Sequence, residues 1–487
     1  MDFGLKEGRQ FPGLQTKRGS EAEETIAADW NVFHLKDEIV AVRVEKVTAK
    51  IPPLILDQIR HQARHDGAIF ACGSNAFAKL RQVDADDLID RCGLDDDKLL
   101  ASIETPPHSI IIIPRLIAGG AEKYAADLAD ALQFLCATPV LVIVTEQSEI
   151  EATGWRELTI LKPFHNTQII YWKDMCNDWN DQIPDALARF LNLMRPKVVL
   201  VVNSMICLDV VALYGRGLSQ FAKIACAFFS LGLHGRFPTY GAIYARRVLP
   251  FATLLTDNKP MANSLDGLYG PIFTHGINLI HPCLRPCDEQ QFSSQILARR
   301  RRVSQPSPKE NRAKNWLWIS RVEPLKGTGL LAALASARQA DRFHIFGPLQ
   351  DDPERMGLNA PNIQIHDLVS DVSAADFTSY DGFIFTSLFE GMPNIVLEMS
   401  QHTIPMVLAD VGGLRDTFDE GAVVFVKHLD LENDTARAFS RALDHVSAFS
   451  SEKTVAMATA AHAQALARHS LDQHRQSVAA AFLPGDP

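Results

Sequence analysis

The chain has little that would send it into or across a bilayer. Its most apolar stretch, Val198–Tyr214, is interrupted by Asn203, Ser204 and Asp209, so it falls short of the roughly 20 uninterrupted apolar residues a spanning helix needs. The opening residues, MDFGLKEGRQFPGLQTKRGSEAEE, contain no apolar core of signal-peptide length, and acidic residues dilute any transit-peptide bias. A cytoplasmic protein is expected. Cysteine is sparse: eight residues, at 72, 92, 136, 176, 207, 226, 283 and 287, lie mostly within apolar stretches. They read as reduced, buried thiols and not as a disulfide frame. Positive charge is in deficit, with 48 Lys and Arg against 58 Asp and Glu for a net charge of -10. That disfavours a nucleic-acid coat but permits a local basic site.

Several chemistries lack their motifs. There is no P-loop Gly-Lys-Ser/Thr, and Gly119-Gly120 falls short of the GxGxxG fingerprint. His61 and His65 lack the intervening glutamate of a zinc hydrolase, and His281, Cys283 and Cys287 lack a second ligand pair. Asp84-x-Asp86 and Asp95-x-Asp97 read as solvated acidic faces. No metal site and no cofactor beyond a substrate are expected.

What is present is an ordinary globular composition, 47% hydrophobic and 22% charged, over 487 residues. That is enough for two or three domains. Residues 1–107 form an N-terminal extension of unassigned role, polar to about residue 29 and strand-like over Ile39–Val47. From residue 108, continuous apolar runs alternate with helical stretches: Ser109–Pro114, Pro139–Val144, Val198–Val202, Ile224–Phe229 and Thr253–Leu255, with a helix over Glu122–Leu135. Such runs suit parallel strands covered on both faces. Residues 298–312, ARRRRVSQPSPKENR, read as a linker. A second series then occupies 313–470, with strands at Trp316–Ser320, Phe343–Phe346, Ile363–Ile365, Gly382–Phe385, Pro405–Leu408 and Val423–Val426, and 471–487 form a tail. The expected fold class is α/β, with two Rossmann-like domains, 108–297 and 313–470, facing across a cleft.

The chemistry concentrates in Ser387–Asp416, SLFEGMPNIVLEMSQHTIPMVLADVGGLRD. A strand ends near Thr386, and a helix is expected from about Pro393, whose missing N–H costs nothing there. The amides of Gly391, Met392, Asn394 and Ile395 around Pro393 would then form an anion- or hydroxyl-binding mouth. Glu390 and Glu398 flank it, and two acceptor-only carboxylates beside donors suit a polyhydroxylated phosphate ligand. The same residues also fit a helix-dipole carboxylate at 390 and a solvated one at 398. Upstream, WLWISRVEPLKG delivers Arg321 and Lys326 onto a loop closed by Gly327, where two cations could neutralise a diphosphate. In the first domain, Gly119 and Gly120 between strand and helix would allow close backbone approach to a ligand.

These segments, in this order, resemble the retaining family 4 glycosyltransferases of the GT-B fold (glycosyl transferases group 1) over about residues 108–470. The strongest element is Glu390 and Glu398 within Ser387-x-x-Glu390-Gly391-Met392-Pro393-Asn394, followed by Pro405 and Gly412-Gly413. The resemblance implies that Arg321 and Lys326 hold a donor diphosphate, and that Glu390 and the following amides hold the donor sugar. It places Glu398 on the ribose and Gly119-Gly120 on the acceptor side. Two departures stand out. Thr403 occupies the family's glycine position before Pro405, so the preceding helix must end without a left-handed glycine cap. Ser230 stands where the family often has a histidine, which leaves His234 as the catalytic candidate from that loop, against a histidine that merely caps or packs there.

The expected function is transfer of a sugar, with retention, from a nucleotide diphosphate sugar to a glycan or lipid-linked acceptor, in cell-surface polysaccharide or glycolipid synthesis. A 2-epimerase or phosphorylase of the same fold, or a non-catalytic sugar-binding subunit, are the alternatives. A peripheral contact with the inner face of a membrane through Arg299–Arg302 is a further expectation.

Overall fold

The computed structural model describes residues 106–176, 183–230, 240–270, 276–285, 289–304, 313–349, 352–369 and 371–483, with Leu99, Ile103, a strand pair within 233–238 and short strand pairs before residue 48. Within the run Ile39–Val47, Glu38–Ala41 pairs antiparallel with Phe33–Lys36. His61, His65 and the acidic clusters at 84–87 and 95–97 lie outside the described residues. The chain divides into two compact units, Met1–Thr256 with Ala262–Asn278 and Val478–Pro487, and Asp257–Met261 with Leu279–Ser477.

The first unit contains a seven-stranded sheet. Its elements are β1 (Ser109–Ile113), α1 (Gly120–Cys136), β2 (Val140–Val144), β3 (Gln168–Tyr171), α2 (Ile183–Met194), β4 (Val198–Val202), α3 (Met205–Leu218), β5 (Lys223–Ala227), α4 (Tyr240–Val248), β6 (Thr253–Thr256), α5 (Lys259–Tyr269) and β7 (Ile277–Leu279). The strand order is β7-β6-β5-β4-β1-β2-β3. The central strands β1, β2 and β4 are buried along their whole length, as their unbroken apolar runs require. Helix α1 buries Ala125, Leu128, Ala129 and Leu132, the apolar face read from the sequence. The edge strands β3 and β7 were not anticipated. They are only four and three residues long and are partly exposed, so they lack the long apolar run that marks a central strand.

In the second unit, α6 (Glu289–Ser304) precedes β8 (Asn315–Ile319), α7 (Thr328–Ala337), β9 (Arg342–Phe346), β10 (Ile363–His366), β11 (Gly382–Phe385), α8 (Asn394–Met399), β12 (Met406–Ala409), α9 (Leu414–Thr417), β13 (Val424–Val426), α10 (Glu432–Ser447), α11 (Ser451–His469) and α12 (Leu471–Phe482). All ladders are parallel, in the order β10-β9-β8-β11-β12-β13. Side chains alternate across the sheet. Trp316 and Trp318 of β8 pack with α7 and α10 through Leu330, Leu334, Phe439 and Leu443. Leu317 and Ile319 pack on the opposite face with Val396, Leu397, Leu414 and Ala461. Both tryptophan N–H groups are satisfied, Trp316 Nε1 by Asp341 at 3.0 Å and Trp318 Nε1 by Thr386 Oγ1 at 2.9 Å.

The stretch 298–312 differs from expectation at its start, because α6 extends through Ser304. Arg299 is 2% exposed, so it is not a surface charge. Its Nε donates to Thr403 O at 2.9 Å and its Nη1 to Tyr380 O at 2.7 Å. Membrane contact through Arg299 is therefore excluded by its burial, while Arg300 and Arg301 remain exposed. The helix ends without the missing glycine: Ser400 caps α8 in right-handed conformation, and Gln401 N and His402 N donate to Glu398 O at 3.1 Å and Met399 O at 3.0 Å. Thr403 is not among the residues with positive φ. No helix among the described residues is long and apolar enough to cross a membrane.

Replacing Arg299 with alanine leaves two buried carbonyls short of a charged donor. A loss of about 3 kcal/mol in urea unfolding is expected, and an unchanged midpoint would show that the contacts are dispensable.

Candidate active site

In an open parallel sheet the ligand site lies beyond the carboxyl ends of the strands, where the strand order reverses. In the second unit that point falls between β8 and β11, which pair through Trp316–Gly382 and Leu317–Phe383. The loop after β8 carries Arg321 and Lys326, and the loop after β11 carries Glu390. Lys326 Nζ donates to Glu390 Oε1 at 2.6 Å, with both side chains mostly buried. Ser387 Oγ donates to the same oxygen at 2.6 Å. Among the described residues, no intramolecular hydrogen bond is made by Glu390 Oε2.

The two loops are held together by main chain. Leu388 N donates to Leu325 O at 3.0 Å, and Thr386 Oγ1 donates to Lys326 O at 2.9 Å. Thr386 also accepts from Trp318, so a tryptophan in the core fixes the residue that fixes Lys326. Gly327, at φ 73°, closes the loop where a Cβ would stand 2.1 Å from Thr386 O. His428 Nε2 lies 2.9 Å from Ser387 O, a bond that needs the proton on that nitrogen.

Beyond Glu390 the expected mouth is partly changed. The helix α8 starts at Asn394 with Pro393 as its N-cap. Gly391, Asn394 and Ile395 make no amide hydrogen bond within the chain among the described residues. The Met392 amide is not available. It donates to Asp257 Oδ2 at 2.9 Å, and Met392 itself is 3% exposed. Gly413 N donates to Gly391 O at 2.9 Å, and Gly412, at φ 57°, approaches so closely that a Cβ would lie 2.1 Å from that same oxygen. The Gly391–Met392 peptide is thus gripped at both ends. Asn394 Oδ1 is closed to solvent and lacks a hydrogen-bond partner among the described residues. Glu398 is half-buried on α8.

Other expected residues are placed differently. Arg321, 48% exposed, pairs with Glu323 at 3.1 Å and makes no bond to Glu390. In the first unit, Gly119 is the N-cap of α1 in extended conformation and Gly120 begins the helix. A Cβ on Gly119 would meet Glu122 Oε2 at 2.1 Å, so the helix's own carboxylate uses the close approach that glycine allows. The backbone of His234 forms a short strand, Leu233–His234, against Phe237–Pro238, and its side chain lies outside the described residues. His281 Nδ1 lies 3.1 Å from Asp257 O, Cys283 is buried, and Cys287 is outside the described residues. No group of three or more metal-ligating side chains occurs among the described residues.

Residues 313–446 match the family of glycosyl transferases group 1. No curated protein matches the chain. Solved structures do resemble it. HepE of Anabaena, in complex with UDP and glucose, superposes with a TM-score of 0.57 at 14% identity, over 77% of this chain and 98% of that one. The pneumococcal O-GlcNAc transferase GtfA, in complex with UDP and GlcNAc, gives 0.57 at 12% identity, over 78% and 100%. Sucrose-phosphate synthase from Thermosynechococcus elongatus gives 0.58 at 13% identity, over 76% and 97%. The two sheets and these neighbours show a two-domain, Rossmann-like GT-B fold.

Asp257, Ser387 and Thr386 carry weight that the sequence reading did not assign. Asp257 follows an apolar run and precedes Asn258, whose Oδ1 accepts from Met261 N at 2.8 Å. That pattern signals a helix cap, and nothing local points to residue 392. If the Lys326–Glu390 pair persists in solution, a double-mutant cycle of Lys326→Ala and Glu390→Ala will show a coupling of about 1–2 kcal/mol in unfolding free energy. Strict additivity would show that the two groups do not meet.

Proposed function

We propose that the protein is a glycosyltransferase that binds a nucleotide diphosphate sugar on its second unit and transfers the sugar with retention to an acceptor hydroxyl taken by the first. The observation that carries this reading is the Lys326–Glu390 pair at the switch point, beside the amides of Gly391, Asn394 and Ile395. The group 1 match over 313–446 and the UDP in the HepE and GtfA structures support it.

Lys326 and Glu390 neutralise each other in the structure. A donor would exchange one bond for two, with a phosphate oxygen taking the place of Glu390 at Lys326 while Glu390 accepts sugar hydroxyl protons. Arg321, exposed and paired with Glu323, would add a second cation near the phosphates, and Glu398 would accept from the ribose. The bond from C1 to the diphosphate oxygen breaks as the acceptor oxygen bonds to C1 on the same face. The acceptor's proton passes to the departing phosphate oxygen, so no protein nucleophile is needed. The charge that develops on the leaving group is met by Lys326 and Arg321. A role for His234 and for Gly119-Gly120 on the acceptor side belongs to the same proposal, as does an acceptor of the cell-surface glycan or lipid-linked class.

Thermal melting against a panel of nucleotide sugars identifies the donor, because a ligand at about 100 times its Kd stabilises the native state by about 2.7 kcal/mol. With that donor, Lys326→Ala, Arg321→Ala and Glu390→Ala are each expected to keep the fold and lower transfer by about 100-fold or more. Wild-type rates in all three would overturn the assignment. A product inverted at C2 would indicate an epimerase, and binding without turnover a sugar-binding subunit.

A further inference from the structure

Asp257 makes none of the donor contacts proposed above, yet the turn that makes them rests on it. Its segment, Asp257–Met261, belongs to the second unit. Asp257 Oδ2 accepts the Met392 amide at 2.9 Å and Oδ1 accepts Asn258 Nδ2 at 2.5 Å. Asn258 cannot reverse its amide, since its own Oδ1 is committed to Met261 N at 2.8 Å. A donor therefore faces each carboxylate oxygen, and a proton on either one displaces a bond. The segment is fixed at both flanks, by His281 Nδ1 near Asp257 O at 3.1 Å and by Lys259 N donating to Asp416 Oδ2 at 2.7 Å. The opposite end of the same peptide group is held by Gly413 N. With Gly391 O and Met392 N both engaged, the plane between them cannot rotate without breaking two hydrogen bonds, and Glu390 is the next residue along.

Asp257 is 5% exposed, and burying a carboxylate is costly, but a neutral amide in its place would accept from only one of the two donors. We propose that Asp257 is a positioning residue for the donor turn, its ionised carboxylate fixing the Gly391–Met392 peptide so that Glu390 and the Gly391 amide keep the geometry a sugar diphosphate needs. This rests on the donor-site reading above.

Burial pushes the Asp257 carboxyl up to about 7, against the Met392 and Asn258 donors, which favour the anion; the charge of Glu390 adds to the burial effect. The other charged or titratable groups around it are Lys326 on Glu390, Asp416 at Lys259, and His281, whose own pKa burial lowers beside Arg468. A folded-state pKa above the ordinary value means that the folded chain binds the extra proton. This group therefore adds stability as pH falls from about 7 toward 4. The grip on Met392 weakens over the same range, so stability and positioning move in opposite directions.

The experiment compares wild type, Asp257→Asn and Asp257→Ala as full chains on both sides of that pKa. It reads melting temperature, hydrogen exchange of a peptide covering 388–396 corrected for intrinsic rate, and calorimetric binding of UDP, GDP and ADP. Expected above the pKa are a melting temperature at or above wild type in Asp257→Asn, with exchange at Met392 about tenfold faster and the bound nucleotide about tenfold weaker in both variants. The pH step in exchange and affinity seen in wild type disappears in both. Unchanged exchange, unchanged affinity, or loss of melting temperature in parallel with affinity would each overturn the positioning role. If wild type binds none of the three nucleotides, the donor-site reading fails, and the exchange result alone decides whether Asp257 holds the turn.

Discussion

A parallel sheet buried on both faces has only its strand ends to offer a ligand, and the second unit is organised around that constraint. Tryptophans on one face of β8 and leucine and isoleucine on the other leave no solvated surface along the strand. Chemistry must then sit in the loops, and loops are precise only if something rigid dictates their path. Here the connection is explicit. Trp318 in the core binds Thr386, Thr386 binds the Lys326 carbonyl, and Lys326 reaches Glu390. The packing of a sheet face is thereby transmitted to an ion pair two hydrogen bonds away.

The loops also interlock through backbone. At Gly327 and Gly412 a main-chain carbonyl occupies the space a side chain would need, and both residues have positive φ. These glycines serve close approach between segments of the protein, whereas the glycines of an anion site are usually read as room for ligand. Gly119 makes the same point in the first unit, where the Glu122 carboxylate fills the space. A Gly-Gly pair between strand and helix is thus compatible with an internal use of the space as well as with a ligand.

The alternation of buried strands and helices was legible because a strand covered on both faces needs an apolar residue at every position, which leaves an unbroken run. The edge strands β3 and β7, exempt from that demand, left none. Glu390 and Lys326 could be singled out because each stands beside a glycine or proline that marks a loop. Asp257, Arg299 and the engaged Met392 amide could not be. Each acquires its role from a partner far along the chain, Met392 standing 135 positions after Asp257 and Thr403 104 positions after Arg299. Local pattern carries no trace of such a pairing. Arg299 lies in a basic run that looks like solvated surface, and only the fold reveals that its guanidinium is buried against the Thr403 and Tyr380 carbonyls.

The charge of the chain bears on the site in the same way. A net charge of -10 sets a field hostile to a diphosphate, so local cations must overcome it. Yet Lys326 is engaged by Glu390 and Arg321 by Glu323. Unopposed lysine and arginine would hold any phosphate, including inorganic phosphate. A cation already satisfied by a carboxylate yields only to a ligand that replaces that partner and also gives the carboxylate something to bind. A sugar diphosphate does both, with phosphate oxygens for the cation and hydroxyls for Glu390. On the proposed donor reading, selectivity for the two chemical halves on one molecule would follow from the pairing itself, and the proposed role of the buried Asp257 in holding the carboxylate's turn in register fits that arrangement.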